Sequence, residues 1–255
     1  MPKPVCKNYA DELRHQAQVW ARKPGLRALY GHWYARIVAA LAPRRPVVEI
    51  GAGCGNFKAF FPEASATDAI QGGPWIERIV DARALPYRHG EIGNFVLIDC
   101  LHHLPRPLGF LRAAAAALQP GGRIVLFEPA CTPWARLVWR LFHHEPVDLR
   151  QDLFAEEALP EPENAGLAFT NMGIATLLFV KGRDETLRRL PDLNLVRIEY
   201  SDFVVYPATG GFSYLTLVPA FALPALHAAE WVLTRPFASW LTGMRLLVVL
   251  EKKGP

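Results

Sequence analysis

The residues of this chain with chemistry to offer fall in two groups: an acid leading into alternating glycines, and two histidine pairs farther on. In Val47-Val48-Glu49-Ile50-Gly51-Ala52-Gly53-Cys54-Gly55-Asn56-Phe57, apolar and β-branched positions around one acid read as a buried strand, and the glycines after it as a tight turn ahead of a helix. Glycine removes the Cβ atoms that would hold a ligand off the backbone. It also permits the positive φ angles that fold a loop across a strand end. The spacing narrows the ligand. A dinucleotide fingerprint, G-x-G-x-x-G, needs a glycine where this chain has Asn56, and no Gly-Lys-Ser/Thr follows to cradle phosphates. Asp68, seventeen residues beyond Gly51, closes a second strand, where a carboxylate can accept hydrogen bonds from both hydroxyls of a ribose. The histidines are His102-His103, after a fourth apolar strand, and His143-His144 followed by Glu145. Imidazole changes protonation near neutral pH, so these are general-base candidates.

Such groups need a scaffold. With 51% hydrophobic and 20% charged among 255 residues, the chain can bury a substantial core and is neither disordered nor fibrous. The net charge of +4 is scattered, without a run that suggests a nucleic-acid groove. Cys6, Cys54, Cys100 and Cys131 lack C-x-x-C spacing, so neither disulfides nor structural zinc is expected, and a reducing cytoplasm is. Residues 1–13 are polar, without the apolar stretch of a signal peptide. Residues 8–42 read as helical, with Tyr30, Trp33, Ile37 and Leu41 on one apolar face and Pro43 ending the element. Strands are expected at 47–50, 64–68, 78–82, 94–99 and 123–129, alternating with helices after Asn56 and from Pro107. This is an α/β, doubly wound parallel sheet, in which ligands bind outside the carboxyl ends of the strands. The glycines, Asp68, Asp81 and Asp99 all fall at that edge.

The stretch Glu-x-Gly-x-Gly-x-Gly resembles that of the class I S-adenosylmethionine-dependent methyltransferases, and the resemblance covers residues 45–130. It implies a Rossmann-like sheet of seven strands, mostly parallel with an antiparallel last strand. The sixth and seventh strands are then expected at 195–206 and 245–251. It implies S-adenosylmethionine as cofactor and S-adenosylhomocysteine as product, with the turn at Glu49, Gly51, Gly53 and Gly55 beneath the cofactor and Asp68 on its ribose. Asp81-Ala82-Arg83-Ala84-Leu85-Pro86 is similar to the family's adenine-lining Asp-Ala-x-x-Leu-Pro segment, which gives Asp81 the exocyclic amine and Ala82 the ring. Asp99-Cys100-Leu101-His102-His103-Leu104 ends the strand that faces the sulfonium. It lacks the Asp/Asn-Pro-Pro-Tyr/Phe clamp of DNA and protein amide N-methyltransferases and resembles the branch acting on small molecules and lipids. Helices ahead of the first strand often close over the cofactor in this family, so Arg27, Tyr30 and Tyr34 are either cofactor contacts or ordinary packing.

The expected organisation is a single methyltransferase domain, 1–255. Within it, 1–44 are N-terminal helices, 45–130 the cofactor-binding core, 131–185 a first insertion on the substrate side, and 186–255 the final strands with an apolar insertion at 207–243. That second insertion carries Tyr214, Leu215, Phe221, Trp231 and Trp240 but is broken by Pro219, Pro224 and Pro236, with His227, Glu230 and Arg235 between, so it is not a membrane span. It serves as an apolar lid, a helical pair packed on the core, or a peripheral contact with a membrane or another protein. The expected acceptor is a hydrophobic, aromatic or lipid- or sugar-linked small molecule methylated on oxygen, with His103, His144 and Glu145 as catalytic candidates. No metal and no nucleic acid are expected. N- or C-methylation of a small molecule, or a cofactor-binding partner protein without catalysis, are the alternatives.

Overall fold

A computed structural model describes residues 9–143, 145–156, 169–234 and 238–254. The helical N-terminal region divides in two. Helix α1 (Tyr9–Arg22) stops at Lys23 and α2 (Pro24–Ala39) starts afresh. Pro24 lacks the N–H that would continue the first helix and has the φ that opens the second. The strands follow as β1 (Val47–Ile50), β2 (Ala64–Asp68), β3 (Arg78–Ile79), β4 (Ile92–Ile98), β5 (Leu118–Pro129), β6 (Leu193–Ser201) and β7 (Arg245–Lys252). They form one sheet in the order β3-β2-β1-β4-β5-β7-β6. Pairs from β3 to β5 are parallel. Strand β7 enters antiparallel between β5 and β6, from Arg123 opposite Glu251 to Pro129 opposite Arg245. The predicted Rossmann-like architecture is the one observed.

Alternation along the strands divides the core into two layers. Val47, Val96, Val125, Phe127, Leu247 and Val249 face α2, whose Leu29, Trp33 and Ile37 pack on them. The short helix α3 (Asn56–Phe60) follows the glycine turn, and Val48, Phe95, Leu97, Ile124, Leu246 and Val248 face α4 (Pro107–Ala117) and the segment Ile174–Arg189. Buried Asn94 interrupts the apolar run of β4. Its side chain accepts from the Ala42 amide at 2.8 Å and donates to the Ala42 and Arg44 carbonyls at 3.1 and 2.9 Å, which pins the loop ahead of β1 in register with β4 and leaves no polar atom of that amide orphaned.

Three strands also differ from the expectation. Strand β5 begins at Leu118 rather than 123, because residues 119–122 continue the strand past a register shift opposite Ile92 and Asn94. Strand β6 ends at Ser201 instead of running to 206. Asp202 takes φ +64 and turns the chain, and Val205–Thr209 is helical. The third strand is only two residues long. The apolar insertion holds the helices Leu223–Thr234 and Ser239–Thr242; Arg235, Pro236 and Phe237 lie outside the described residues. Among the described residues, no helix is long and apolar enough to cross a membrane.

Candidate functional site

A cavity of about 1350 Å³ opens at the carboxyl ends of β1, β2, β4 and β5, roofed by α1 and by the loop 206–217. Its floor is the glycine turn. Gly51 sits at φ +74, and a Cβ there would lie 2.5 Å from Cys100 Sγ; Gly55 sits at φ +69, where a Cβ would strike the Trp75 ring at 2.4 Å. Both positions therefore demand glycine for conformation and for space. Gly53 donates its N–H to Asp68 Oδ2 at 2.8 Å, and Trp75 Nε1 donates to the Gly53 carbonyl at 2.9 Å. Ala52 donates to Thr67 at 2.9 Å. The turn is thus fixed against β2 before any ligand arrives.

Asp68 also receives the Tyr9 hydroxyl on Oδ2 at 3.4 Å, so α1 reaches the site through its first residue. Burial and the Asp68 charge hold the Tyr9 phenol far above its usual range. Glu49 is buried beneath the turn, and its Oε2 has no hydrogen-bond partner among the described residues. Burial, reinforced by Asp68 and opposed by Lys58, pushes its carboxyl up to about 8. Asp81 and Ala82 line the wall. Asp81 takes the Arg83 guanidinium at 3.0 Å to Nε and 2.6 Å to Nη2, and that hydrogen bonding outweighs partial burial and holds its carboxyl below the usual range. Asp99 lines the cavity at φ +51 and pairs with Arg245 at 2.6 Å. Burial raises its carboxyl despite that pairing. A non-glycine residue in the left-handed region at a strand end is backbone strain held at a site. Tyr30 and Tyr34 also line the cavity, whereas Arg27 is turned away, donating to the Trp20 and Ala21 carbonyls.

The far wall is imidazole and carboxylate. His102 lies between two acids, with Nδ1 2.7 Å from Glu128 Oε2 and Nε2 3.5 Å from Glu145 Oε2. Burial pulls the His102 pKa down, but the two carboxylates more than reverse it and raise it to about 10. Glu145, which burial would raise, is held at about 2 chiefly by its hydrogen bond to His102. Glu128 is fully buried at the end of β5. Its Oε1 accepts from the amides of Cys100 and Leu101 at 2.9 and 2.8 Å, so it braces the turn that carries the histidines. His103 stacks beside His102 with ring centres 4.2 Å apart and places Nδ1 3.1 Å from the Phe169 carbonyl. Burial and the neighbouring His102 lower its pKa. A carbonyl can only accept, so Nδ1 carries the proton, and in the neutral ring of this cavity-lining residue Nε2 keeps its lone pair. His143 Nδ1 accepts from the Glu145 amide at 3.2 Å. His144 lies outside the described residues.

The structure therefore gathers Glu49, Gly51, Gly53, Asp68, Asp81, Ala82, Asp99, His103 and Glu145 around one cavity, with Gly55 just behind its floor. Sequence reasoning missed the importance of Glu128, Arg245 and Tyr9. The signal for the first two was in view: a lone charge at the end of an otherwise apolar strand has to find a buried partner. Tyr9 gave none.

A family model described as a methyltransferase domain matches residues 20–161. Among solved structures, the chain is similar to an S-adenosylmethionine-dependent methyltransferase from Archaeoglobus fulgidus, at 15% identity over 89% of this chain and 94% of that one, with a TM-score of 0.53. It is also similar to geranyl diphosphate C-methyltransferase from Streptomyces coelicolor A3(2), solved with Mg²⁺, geranyl diphosphate and S-adenosylhomocysteine, at 12% identity over 88% and 78% of the two chains, with a TM-score of 0.50. At such identities the likeness is one of fold. No curated protein sequence matches the chain.

Proposed function

The chain belongs to the methyltransferase-domain family and is a class I S-adenosylmethionine-dependent methyltransferase, and from that premise we propose that it methylates an oxygen of a hydrophobic, aromatic or lipid- or sugar-linked small molecule. The observation that carries this reading is His103, an imidazole that commits Nδ1 to a backbone carbonyl and keeps Nε2 for the cavity. The cofactor, when bound, supplies a methyl group already activated on a sulfonium. The residues on the donor side suit it. Gly51 and Gly53 leave bare backbone at the floor, and Asp68, oriented by the Gly53 amide, has lone pairs left for ribose hydroxyls. Asp81 and Ala82 stand on the wall for the adenine, Gly55 holds the turn, and the unpartnered Oε2 of Glu49 suits an N–H group. Asp99, fixed by Arg245, borders the place of transfer.

On the acceptor side, His103 takes the hydroxyl proton at Nε2 while Glu145, an ionised carboxylate, stabilises the resulting charge. Aligning the acceptor oxygen contributes roughly 7 to 11 kcal/mol, and removing its proton about a hundred- to ten-thousandfold in rate. Residues 45–130 then hold the donor, while 131–185 and 207–243 shape the acceptor pocket. The apolar rim of α5 (Pro133–Phe142) and the loop 206–217, with Phe142 against Tyr214 at 5.9 Å between rings, suits an apolar acceptor and one carried at a lipid surface.

The test is transfer of labelled methyl to a panel of phenols, carboxylic acids and glycolipids, beside binding of S-adenosylmethionine to wild type and Asp68→Ala. Asp68→Ala is expected to weaken cofactor binding by about 1 to 3 kcal/mol. His103→Ala is expected to lower turnover with cofactor binding intact, and His144→Ala is measured alongside. Transfer only to polypeptide, nucleic acid or carbon would overturn the reading.

A further inference from the structure

We propose that His102, His103 and Glu145 form a binding site for a divalent first-row transition-metal cation of the zinc type in the acceptor half of the cavity. One ligand atom from each of the three residues lies within 4.8 Å of the others, and His102 Nε2 and Glu145 Oε2 are already 3.5 Å apart; cation binding there releases to solvent the proton that His102 Nε2 holds. Ligand atoms on a tetrahedral Zn²⁺ with bonds of about 2.0 to 2.1 Å stand roughly 3.3 Å from one another. The site is therefore closed by small side-chain rotations rather than by backbone movement.

The surroundings are those of ligands rather than of incidental neighbours. Metal-binding imidazoles almost always donate their other N–H to a carboxylate or a backbone carbonyl, which fixes the tautomer and aims the ring. Both do so here: His102 Nδ1 on Glu128 at 2.7 Å and His103 Nδ1 on the Phe169 carbonyl at 3.1 Å. Glu128 is itself locked by two amides. Two carboxylates, Glu128 and Glu145, face a single bridging imidazole, so the cluster carries an excess of negative charge that a divalent cation matches. Two nitrogens and one oxygen favour zinc-like cations over Mg²⁺ or Ca²⁺, which prefer all-oxygen shells. Three protein ligands also leave a coordination position open towards the cavity, which suits a ligand with a hydroxyl or carboxylate oxygen. That last assignment of the ligand rests on the O-methylation reading; cation binding itself does not. The base role assigned to His103 is that of the cation-free enzyme, and with the cation bound the same Nε2 lone pair is a ligand.

The deciding experiment is calorimetric titration of chelator-treated full-length protein with Zn²⁺, repeated with Co²⁺ while its visible absorption is recorded. The expected result is one cation per chain and a Co²⁺ spectrum of low-coordinate nitrogen and oxygen ligation. His103→Ala and Glu145→Gln, checked as folded by near-ultraviolet circular dichroism, should each weaken Zn²⁺ by at least about tenfold, and Asp68→Ala should leave it unchanged. No stoichiometric cation in the wild type, or binding indifferent to both substitutions, would overturn the proposal. O-methylation by an enzyme that binds no Zn²⁺ refutes the cation site and spares the O-methylation reading; stoichiometric Zn²⁺ without hydroxyl methylation does the reverse.

Discussion

Glu49 is the residue whose burial has the clearest consequence in solution. Its carboxyl titrates near 8 in the folded chain against about 4.3 when unfolded, so between those values the folded state holds one proton more. Stability from this group is then fully present below the unfolded value and is lost as pH rises through the folded one. Glu49→Gln should remove that slope. In urea unfolding at pH 5 and pH 8.5, the variant is expected to gain on the wild type at the higher pH by on the order of 4 kcal/mol, and a parallel response would refute the assignment. Gly51 offers a second test. Gly51→Ala combines a left-handed φ with a clash on Cys100 Sγ and should cost about 1 to 3 kcal/mol. Adding Cys100→Ala should recover only the part due to contact, because the φ penalty and the Cys100 Cβ at 3.1 Å remain.

At the scale of elements, α1 and the loop after β6 are joined by Lys23. Its Nζ donates to the Gly211 carbonyl at 2.6 Å, to Thr209 at 3.4 Å and to Tyr214, satisfying carbonyls left over where the short helix Val205–Thr209 ends. Lys23→Ala should therefore speed amide exchange across 209–217 while leaving β1 and β4 as protected as before. Equal exchange in both proteins would show the loop held by its apolar contacts alone. Legibility in the sequence follows the same division. Strands β1 and β4 and the glycine turn were readable because parallel central strands are apolar on both faces and the turn needs residues without Cβ. The break at Pro24 was visible as a proline and was passed over. The end of β6 was hidden, since Asp202 and Val205 belong to a strand or a turn according to tertiary partners: Trp33 donating to Asp202 at 3.0 Å, and Glu230 accepting from the amides of Phe203 and Val205 at 2.8 and 2.9 Å. Likewise the pairing of His102 with Glu128 joins residues 26 apart in sequence, and no local pattern announces it.

For the molecule as a whole, the apolar rim is the feature exposed to other matter. Phe142, Leu215 and Leu217 are exposed where they line the cavity, and Leu141 and Phe221 are exposed beside them in sequence, Leu215 at 85% and Phe221 at 86%; large apolar side chains left in water in such number suit an interaction surface. Wild-type protein is expected to sediment with lipid vesicles, and Leu215→Asp with Phe221→Asp to abolish this while S-adenosylmethionine binding persists. Sedimentation unchanged by the pair would remove the rim from any such role. The sheet order has a further consequence, for biogenesis. Strand β7 fills the slot between β5 and β6, yet residues 130–244 are translated before it. During that interval the outer edge of β5 presents unpaired peptide groups beside apolar faces, the condition under which nascent chains associate wrongly. Asp99 and Glu128 are by then complete, but Arg245 has still to arrive. The longer that interval lasts, the longer the edge is open to such association, and synonymous codons that slow the ribosome between 130 and 244 should lower the yield of folded enzyme.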